Sequence, residues 1–293
     1  MTGVSMRFIL LALLLLPWPA RAIEAVASFT VLADMVREVG GDRVRVTALV
    51  GPDGDPHAYE PSPDDARVLR GADMVFVNGL GLEGWMTRLV AASGTRAVPV
   101  VTTAGVQARR MQEDGKPVED PHAWNSVANA PAYVASIAAA LAAADPAGAP
   151  AYQANAARYT AELVALDAWV RQQVGTVPPG RRRVLMSHDA FGYFAAAYGI
   201  TVLSPVGLST EGEASARSVA SLVRQIKAER VRTYFLENSA DPRLVQQVAR
   251  TTGAVPGGVL YVESLSPPGG PAPTYAAMVR HNAALLVAAM RRE

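Results

Sequence analysis

Four histidines occur in the chain, and three of them, His57, His122 and His188, stand in polar turns flanked by proline or serine at nearly equal intervals. Their contexts are Gly-Asp-Pro-His57-Ala-Tyr-Glu, Glu-Asp-Pro-His122-Ala-Trp-Asn and Met-Ser-His188-Asp-Ala-Phe. Neutral imidazole is the commonest protein ligand for a transition metal, and its second nitrogen can be held by a neighbouring acceptor. The repeated Asp-Pro-His, at 55–57 and 120–122, points to one dispersed metal site rather than three unrelated side chains. The chain has no cysteine. Any metal must therefore be held by imidazole and carboxylate, a donor set that suits zinc first and manganese second and excludes thiolate-bound Cu(I) and iron–sulfur clusters. A carboxylate to complete the set is expected at a strand end, where Glu263, which follows the last strand, stands beside Glu237, Asp189 and Asp241 as a candidate. Three histidines and one acid make a closed tetrahedral zinc site. A catalytic zinc keeps one position open, so the composition argues for holding a metal and against an enzyme.

The elements that must bring these residues together read as α/β. Apolar, β-branched runs at Val44–Val50, Met74–Val77, Ala97–Val101, Val184–Met186, Thr201–Leu203, Thr233–Leu236 and Gly258–Val262 alternate with helical patterns at Phe29–Val39, Ala66–Gly71, Ala130–Ala144, Ser218–Glu229, Leu244–Thr252 and Tyr275–Arg292. Such alternation predicts parallel sheets covered by helices. Between the two groups, 151–174 carries apolar residues at helical spacing (Tyr159, Leu163, Leu166, Trp169, Val170) and ends at Gly175 and Pro178-Pro179-Gly180. It is predicted to be one long helix linking two lobes. The expected organisation is two parallel-sheet α/β lobes, 23–148 and 179–293, joined by a linking helix over 149–178, with the metal in the cleft between them. His57 and His188 then lie at the carboxyl edges of strands, where open parallel sheets bind ligands.

The first 22 residues read as a cleavable signal peptide: a basic start at Arg7, an apolar stretch from Phe8 to Ala20 broken by Pro17 and Pro19, and the small-x-small site Ala20-Arg21-Ala22. A bilayer-spanning helix needs roughly 20 apolar residues, more than this stretch supplies. With no cysteine to carry a lipid, the expected product is freely soluble outside the cytoplasm and is read as a monomer. Net charge is +1, and no basic stripe interleaved with aromatics occurs, so nucleic acid is not an expected partner.

These residues resemble the zinc- and manganese-binding solute-binding proteins of bacterial ABC transporters, the metal-receptor cluster A-I family. The likeness is carried by Pro56-His57-Ala58-Tyr59-Glu60-Pro61-Ser62-Pro63-Asp64-Asp65, Asp120-Pro121-His122-Ala123-Trp124, Ser187-His188-Asp189-Ala190-Phe191-Gly192-Tyr193-Phe194 and Leu260-Tyr261-Val262-Glu263-Ser264-Leu265-Ser266. It implies two lobes on a rigid connecting helix and one buried ion held by His57, His122, His188 and Glu263. Histidine at the third position is the zinc-type choice, whereas manganese-specific members often carry glutamate. The last position is commonly aspartate, so Glu263 lengthens that arm by one methylene. The implied role is capture of Zn(II), with Mn(II) as the alternative cargo, and delivery to an inner-membrane ABC permease. A periplasmic zinc-donor protein is a further conceivable partner, and a zinc-dependent envelope hydrolase is the rival from another class. Asp120, Asp189 and Glu237 are expected behind the imidazoles. The stretch 111–120 lacks the long His-rich loop that zinc-uptake members often carry, and His281, on the final helix, is expected to be structural.

Overall fold

The computed structural model describes residues 21–113, 116–207 and 215–292. Most of the expected signal peptide, 1–20, lies outside the described residues. The chain begins its regular structure with β1 (Ile23–Phe29), α1 (Thr30–Gly40), β2 (Val44–Val50), α2 (Pro63–Arg70), β3 (Met74–Val77), α3 (Met86–Ser93) and β4 (Pro99–Val101). The strands form a parallel sheet in the order β2-β1-β3-β4. In β1, Ala25 to Phe29 are buried without alternation, as befits a strand covered by helices on both faces. An antiparallel hairpin, β5 (Arg110–Glu113) and β6 (Lys116–Glu119), follows before His122. Sequence periodicity does not mark this hairpin.

Two helices separate this half from the next. They are α4 (Ala130–Ala144) and α5 (Ala149–Gly175), the latter falling within the span expected for the linking helix. α5 buries Tyr152, Tyr159, Leu163, Leu166, Val170 and Val174, a single stripe recurring mostly every three or four residues. At about 1.5 Å per residue it is about 40 Å long.

The second half comprises β7 (Arg183–Leu185), α6 (Gly192–Tyr198), β8 (Thr201–Leu203), α7 (Ala216–Glu229), β9 (Thr233–Glu237), α8 (Arg243–Thr252), β10 (Val255–Leu260) and α9 (Tyr275–Met290). Its parallel sheet runs β10-β9-β7-β8. The last strand lies earlier than the expected 258–262, and its register shifts between Pro256 and Val259, so Glu263 sits in the segment beyond the strand rather than at its tip.

One buried apolar cluster crosses both halves, including Phe29, Phe76, Trp124, Tyr152, Phe191, Val262 and Tyr275. A smaller one, with Leu185, Leu222, Ile226, Val245 and Val248, lies between the second sheet and the α7–α8 layer. α9 returns to pack on α5 and α1, and Arg280 places its guanidinium 4.9 Å above the Trp169 ring. The lobes are thus fastened by shared core as well as by the linking helix.

Candidate metal centre

His57 lies in the loop between β2 and α2, and that loop is pinned on both sides. The Trp85 indole donates to the Pro56 carbonyl at 2.8 Å. Downstream, Ser62 and Asp65 form a reciprocal cap on α2, with Pro63 in its first turn, and the Tyr59 hydroxyl donates to Asp65 at 2.9 Å. Burial works against the Asp65 charge, but these hydrogen bonds hold its carboxyl below the ordinary value. The backbone of His57 donates to the Asp55 carboxylate at 2.8 Å, and that of His122 to Asp120 at 3.0 Å. The repeated Asp-Pro-His is therefore one local device used twice, an Asx turn that fixes the histidine two residues on.

His122 is completely buried, and its ring Nδ1 faces Asp120 Oδ1 at 2.9 Å. The preceding carbonyl, of Pro121, accepts from Asn78 at the end of β3 at 2.9 Å, and Asn78 in turn accepts from Tyr133 at 2.6 Å. His188 follows β7, and its Nδ1 makes a short contact with Glu237, the last residue of β9. The other Glu237 oxygen accepts from the backbone of Ser187 at 2.8 Å and of His188 at 3.2 Å. β7 and β9 are neighbours that connect in opposite directions across the sheet, so the pair stands at the switch point where open sheets place ligands. Glu263 is held by its neighbour: the Trp124 indole, two residues after His122, donates to the Val262 carbonyl at 2.9 Å across the lobe boundary.

These anchors turn His57, His122, His188 and Glu263 onto one point, with one potential donor atom from each lying within 4.8 Å of all the others. His57 Nε2 is 3.0 Å from His122 Nε2 and 3.6 Å from Glu263 Oε2. Glu263 Oε1 is 3.4 Å from His122 Nε2 and 3.1 Å from His188 Nε2. A tetrahedron with bonds of about 2.0–2.1 Å has edges of about 3.3–3.4 Å, and these four separations, 3.0–3.6 Å, lie close to that value. Asp120 and Glu237 hold the Nδ1 atoms of His122 and His188, so Nε2 is the nitrogen that each ring directs inward. Glu263 is fully buried, and its Oε2 finds no hydrogen-bond partner among the described residues. A buried acceptor of this kind costs free energy unless a cation or proton meets it. This donor set fits a divalent metal.

The electrostatics agree. Burial, reinforced by the neighbouring imidazoles, holds His122 well below its ordinary range, so it stays neutral and able to donate its lone pair. Burial alone would lower His188 too, but Glu237 and Glu263 outweigh it and hold that imidazole well above its ordinary value. Asp120 is pushed up to about 7, chiefly by burial and against the hydrogen bond from His122. Asp189 behaves differently from the other two acids. It is half-buried and is raised by burial, yet it makes no hydrogen bond to an imidazole among the described residues and acts on His188 through charge alone. Asp241 pairs with Arg243 at the surface, away from the cluster, and the His281 ring donates from Nε2 to the Val259 carbonyl at 2.9 Å. The roles of Asp55 and Trp124 were not singled out from the sequence. The repeated Asp-Pro-His signals the first, whereas nothing local signals an indole that reaches a carbonyl of the other lobe.

Residues 25–289 match the family model described as "Zinc-uptake complex component A periplasmic". Among curated proteins, the chain is 34% identical over 262 residues to the manganese-binding lipoprotein MntA of Halalkalibacterium halodurans, covering 89% of this chain and 86% of that protein. Among solved structures, it superposes on the periplasmic zinc-binding protein TroA of Treponema pallidum with a TM-score of 0.86 at 29% identity, covering 92% of this chain and 99% of that one. It also superposes on the Mn-bound periplasmic metal-binding protein of Candidatus Liberibacter asiaticus with a TM-score of 0.82 at 30% identity, covering 92% and 99%. With its two parallel-sheet lobes, its 27-residue connecting helix and this match over nearly its whole length, the chain belongs to the zinc-uptake component A family of metal-binding ABC transporter solute-binding proteins, which are receptors and not enzymes.

Proposed function

We propose that this chain captures Zn(II) in the periplasm with His57, His122, His188 and Glu263 and hands the ion to an inner-membrane ABC permease. The observation that carries this reading is the convergence of three imidazole nitrogens and one carboxylate, with four contacts between them at 3.0–3.6 Å. Three nitrogens and one oxygen at tetrahedral spacing favour zinc, and the Irving–Williams order places zinc above manganese for such donors. Asp120 and Glu237 orient His122 and His188, and Asp189 adds negative charge nearby. The lobes are taken as 23–148 and 179–293 about the helix of 149–178, in a monomer released by cleavage near Ile23. Several relatives are named lipoproteins, but this chain has no cysteine to carry a thioether-linked lipid.

Manganese is the second reading. It is favoured by the likeness to a manganese-binding lipoprotein and to an Mn-bound structure. Metal analysis and competition titration of the chelator-stripped protein separate the two, with His188→Ala and Glu263→Ala measured alongside. One zinc per chain, poorly displaced by manganese and weakened in both variants, supports the zinc reading. Preference for manganese overturns the cargo, and an unaffected Glu263→Ala overturns that ligand.

A further inference from the structure

The second sheet has two edges with opposite chemistry. The carboxyl ends of its strands lead to His188, Glu237 and Glu263. At the other edge, Arg183 is the first residue of β7, and Arg232 immediately precedes β9. The Arg182 carbonyl accepts from Thr201 at the start of β8, and the Arg232 carbonyl accepts from Val255 at the start of β10, each at 2.8 Å. Arg230 caps α7 with φ 56°, a left-handed position that favours glycine. Around them lies a concavity of about 330 Å³ lined by Gly180, Arg181, Arg183, Glu229, Arg230 and Arg232. β9 runs the thickness of the sheet at about 3.3 Å per residue, so this pocket is roughly 15 Å from the metal centre.

Segments 180–183 and 227–232 carry six cationic side chains, Arg181, Arg182, Arg183, Lys227, Arg230 and Arg232, against one acid, Glu229, in a chain whose total is only +1. Part of that charge is tied down. Arg182 donates to the Val177 carbonyl at 2.9 Å, and Arg183 donates to the Glu229 carbonyl at 3.3 Å with its Nε 3.8 Å from the Glu229 carboxylate. That carboxylate also accepts from Gln225 at 2.9 Å. Arg181 and Arg230 are exposed on the rim and form no carboxylate pair among the described residues. Guanidinium groups gathered about a concavity focus positive potential into it. Their planar forks match the oxygens of phosphate, and a doubly charged anion answers several of them at once where a single carboxylate leaves most unmatched.

We propose that this arginine-lined pocket is a binding site for a phosphate-type oxyanion, distinct from the metal centre. The shared chemistry is a multiply charged terminal phosphate group, from either a soluble compound or a lipid headgroup that ends in a phosphomonoester. The experiment titrates inorganic pyrophosphate into the metal-free full chain by calorimetry and, in parallel, sediments the chain with vesicles containing phosphatidic acid, with phosphatidylcholine vesicles as the comparison. Arg181→Gln/Arg230→Gln is compared with the parent and with Arg88→Gln, an exposed arginine on α3. The expected result is saturable binding at one site per chain, weakened by about tenfold or more in the double variant, unchanged in Arg88→Gln and diminished by salt. Binding to pyrophosphate alone assigns a soluble phosphate compound, and retention on phosphatidic acid but not phosphatidylcholine assigns a headgroup. If the double variant does not fold, Arg181→Gln alone, in the exposed turn before β7, carries the test. Absence of saturable binding to either probe, or equal binding by the arginine variants and the parent, overturns the proposal.

Discussion

Replacing Glu237 by glutamine keeps the size of the side chain and removes one oxygen acceptor. In the native site three N–H groups share the carboxylate: the amides of Ser187 and His188 on Oε1, at 2.8 and 3.2 Å, and the His188 ring on Oε2. A glutamine has a single carbonyl oxygen, so it can serve only one side. With the oxygen kept on the two amides, its NH2 faces His188 Nδ1 and drives the ring proton to Nε2, pointing it at Glu263 where a metal would sit. With the amide turned, the NH2 confronts two buried backbone donors, which costs about 1–3 kcal/mol of stability for each group left unsatisfied. The first arrangement is charged to metal affinity. Loss of the carboxylate behind a metal-binding histidine typically weakens binding by about 10- to 100-fold, or about 1.4–2.7 kcal/mol. Zinc competition against a chromophoric chelator gives the affinity, and urea unfolding of the metal-free protein gives the stability. Affinity within twofold of the parent together with an unchanged urea midpoint would refute the reasoning, because no orientation of the amide satisfies all three donors.

Three further outcomes follow from the geometry. Metal loading at pH 7 should release about one proton, because Glu237 and Glu263 overcome the effect of burial and keep His188 protonated in the metal-free protein. Calorimetry in two buffers of different ionisation heat reads that number, zero release contradicts it, and affinity should fall as pH drops. Gly192→Ala would bring a β-carbon to 2.6 Å from Asp120 Oδ2, displacing the carboxylate behind His122. Metal affinity should fall by about tenfold, and an unchanged affinity in the same titration would show that Asp120 does not orient the ring. Asp34 is buried at the interface of α1 and α9, and its carboxyl is pushed up to about 6, chiefly by desolvation and against the hydrogen bond from Tyr275. The folded state therefore binds this proton more tightly than the unfolded state, so the associated stability is full below about pH 4 and is lost as pH rises through 6, by about 3 kcal/mol. Asp34→Asn should flatten the dependence of the urea midpoint on pH between 4 and 7, and parallel curves for the two proteins would count against the assignment.

Much of this architecture is written in local pattern. Val44–Val50, Met74–Val77 and Thr201–Leu203 are strands with the bounds that their β-branched runs suggest, and the stripe of 151–174 lies within α5. β1 escaped because Ile23–Phe29 mixes Glu24 and alanines with few branched residues, and its strand character comes from pairing with β2 and β3 on either side. The β5–β6 hairpin is charged or polar on most residues, leaving little alternation to read. α6 is a short Gly-Tyr-Phe-Ala-Ala-Ala-Tyr segment with too few turns for a period to show. The convergence of His57, His188 and Glu263 is legible because each follows a strand, and His122 joins them through the repeated Asp-Pro-His, but only resemblance ranks Glu263 above the other strand-end acids. Its position depends on Trp124 and Val262, a contact 138 residues apart in sequence. The sequence favours Glu237 over Asp189 behind an imidazole because Glu237 stands at a strand end. The hydrogen bonds differ because Glu237 closes the neighbouring strand and reaches sideways, whereas Asp189 turns with the chain toward Gly207.

The indole clasp between Trp124 and Val262 has a consequence for when the protein becomes able to hold metal. Of the four converging side chains, consecutive partners are at least 65 residues apart, and the last arrives only near the end of the chain. No early fragment owns a site. A nascent chain thus offers isolated imidazoles and acids, each a weak ligand, and gathers the four only when the segment beyond the final strand has docked and Val262 has met its indole. Free energy of binding at these four groups is then folding free energy for the whole molecule, available only after the chain is complete.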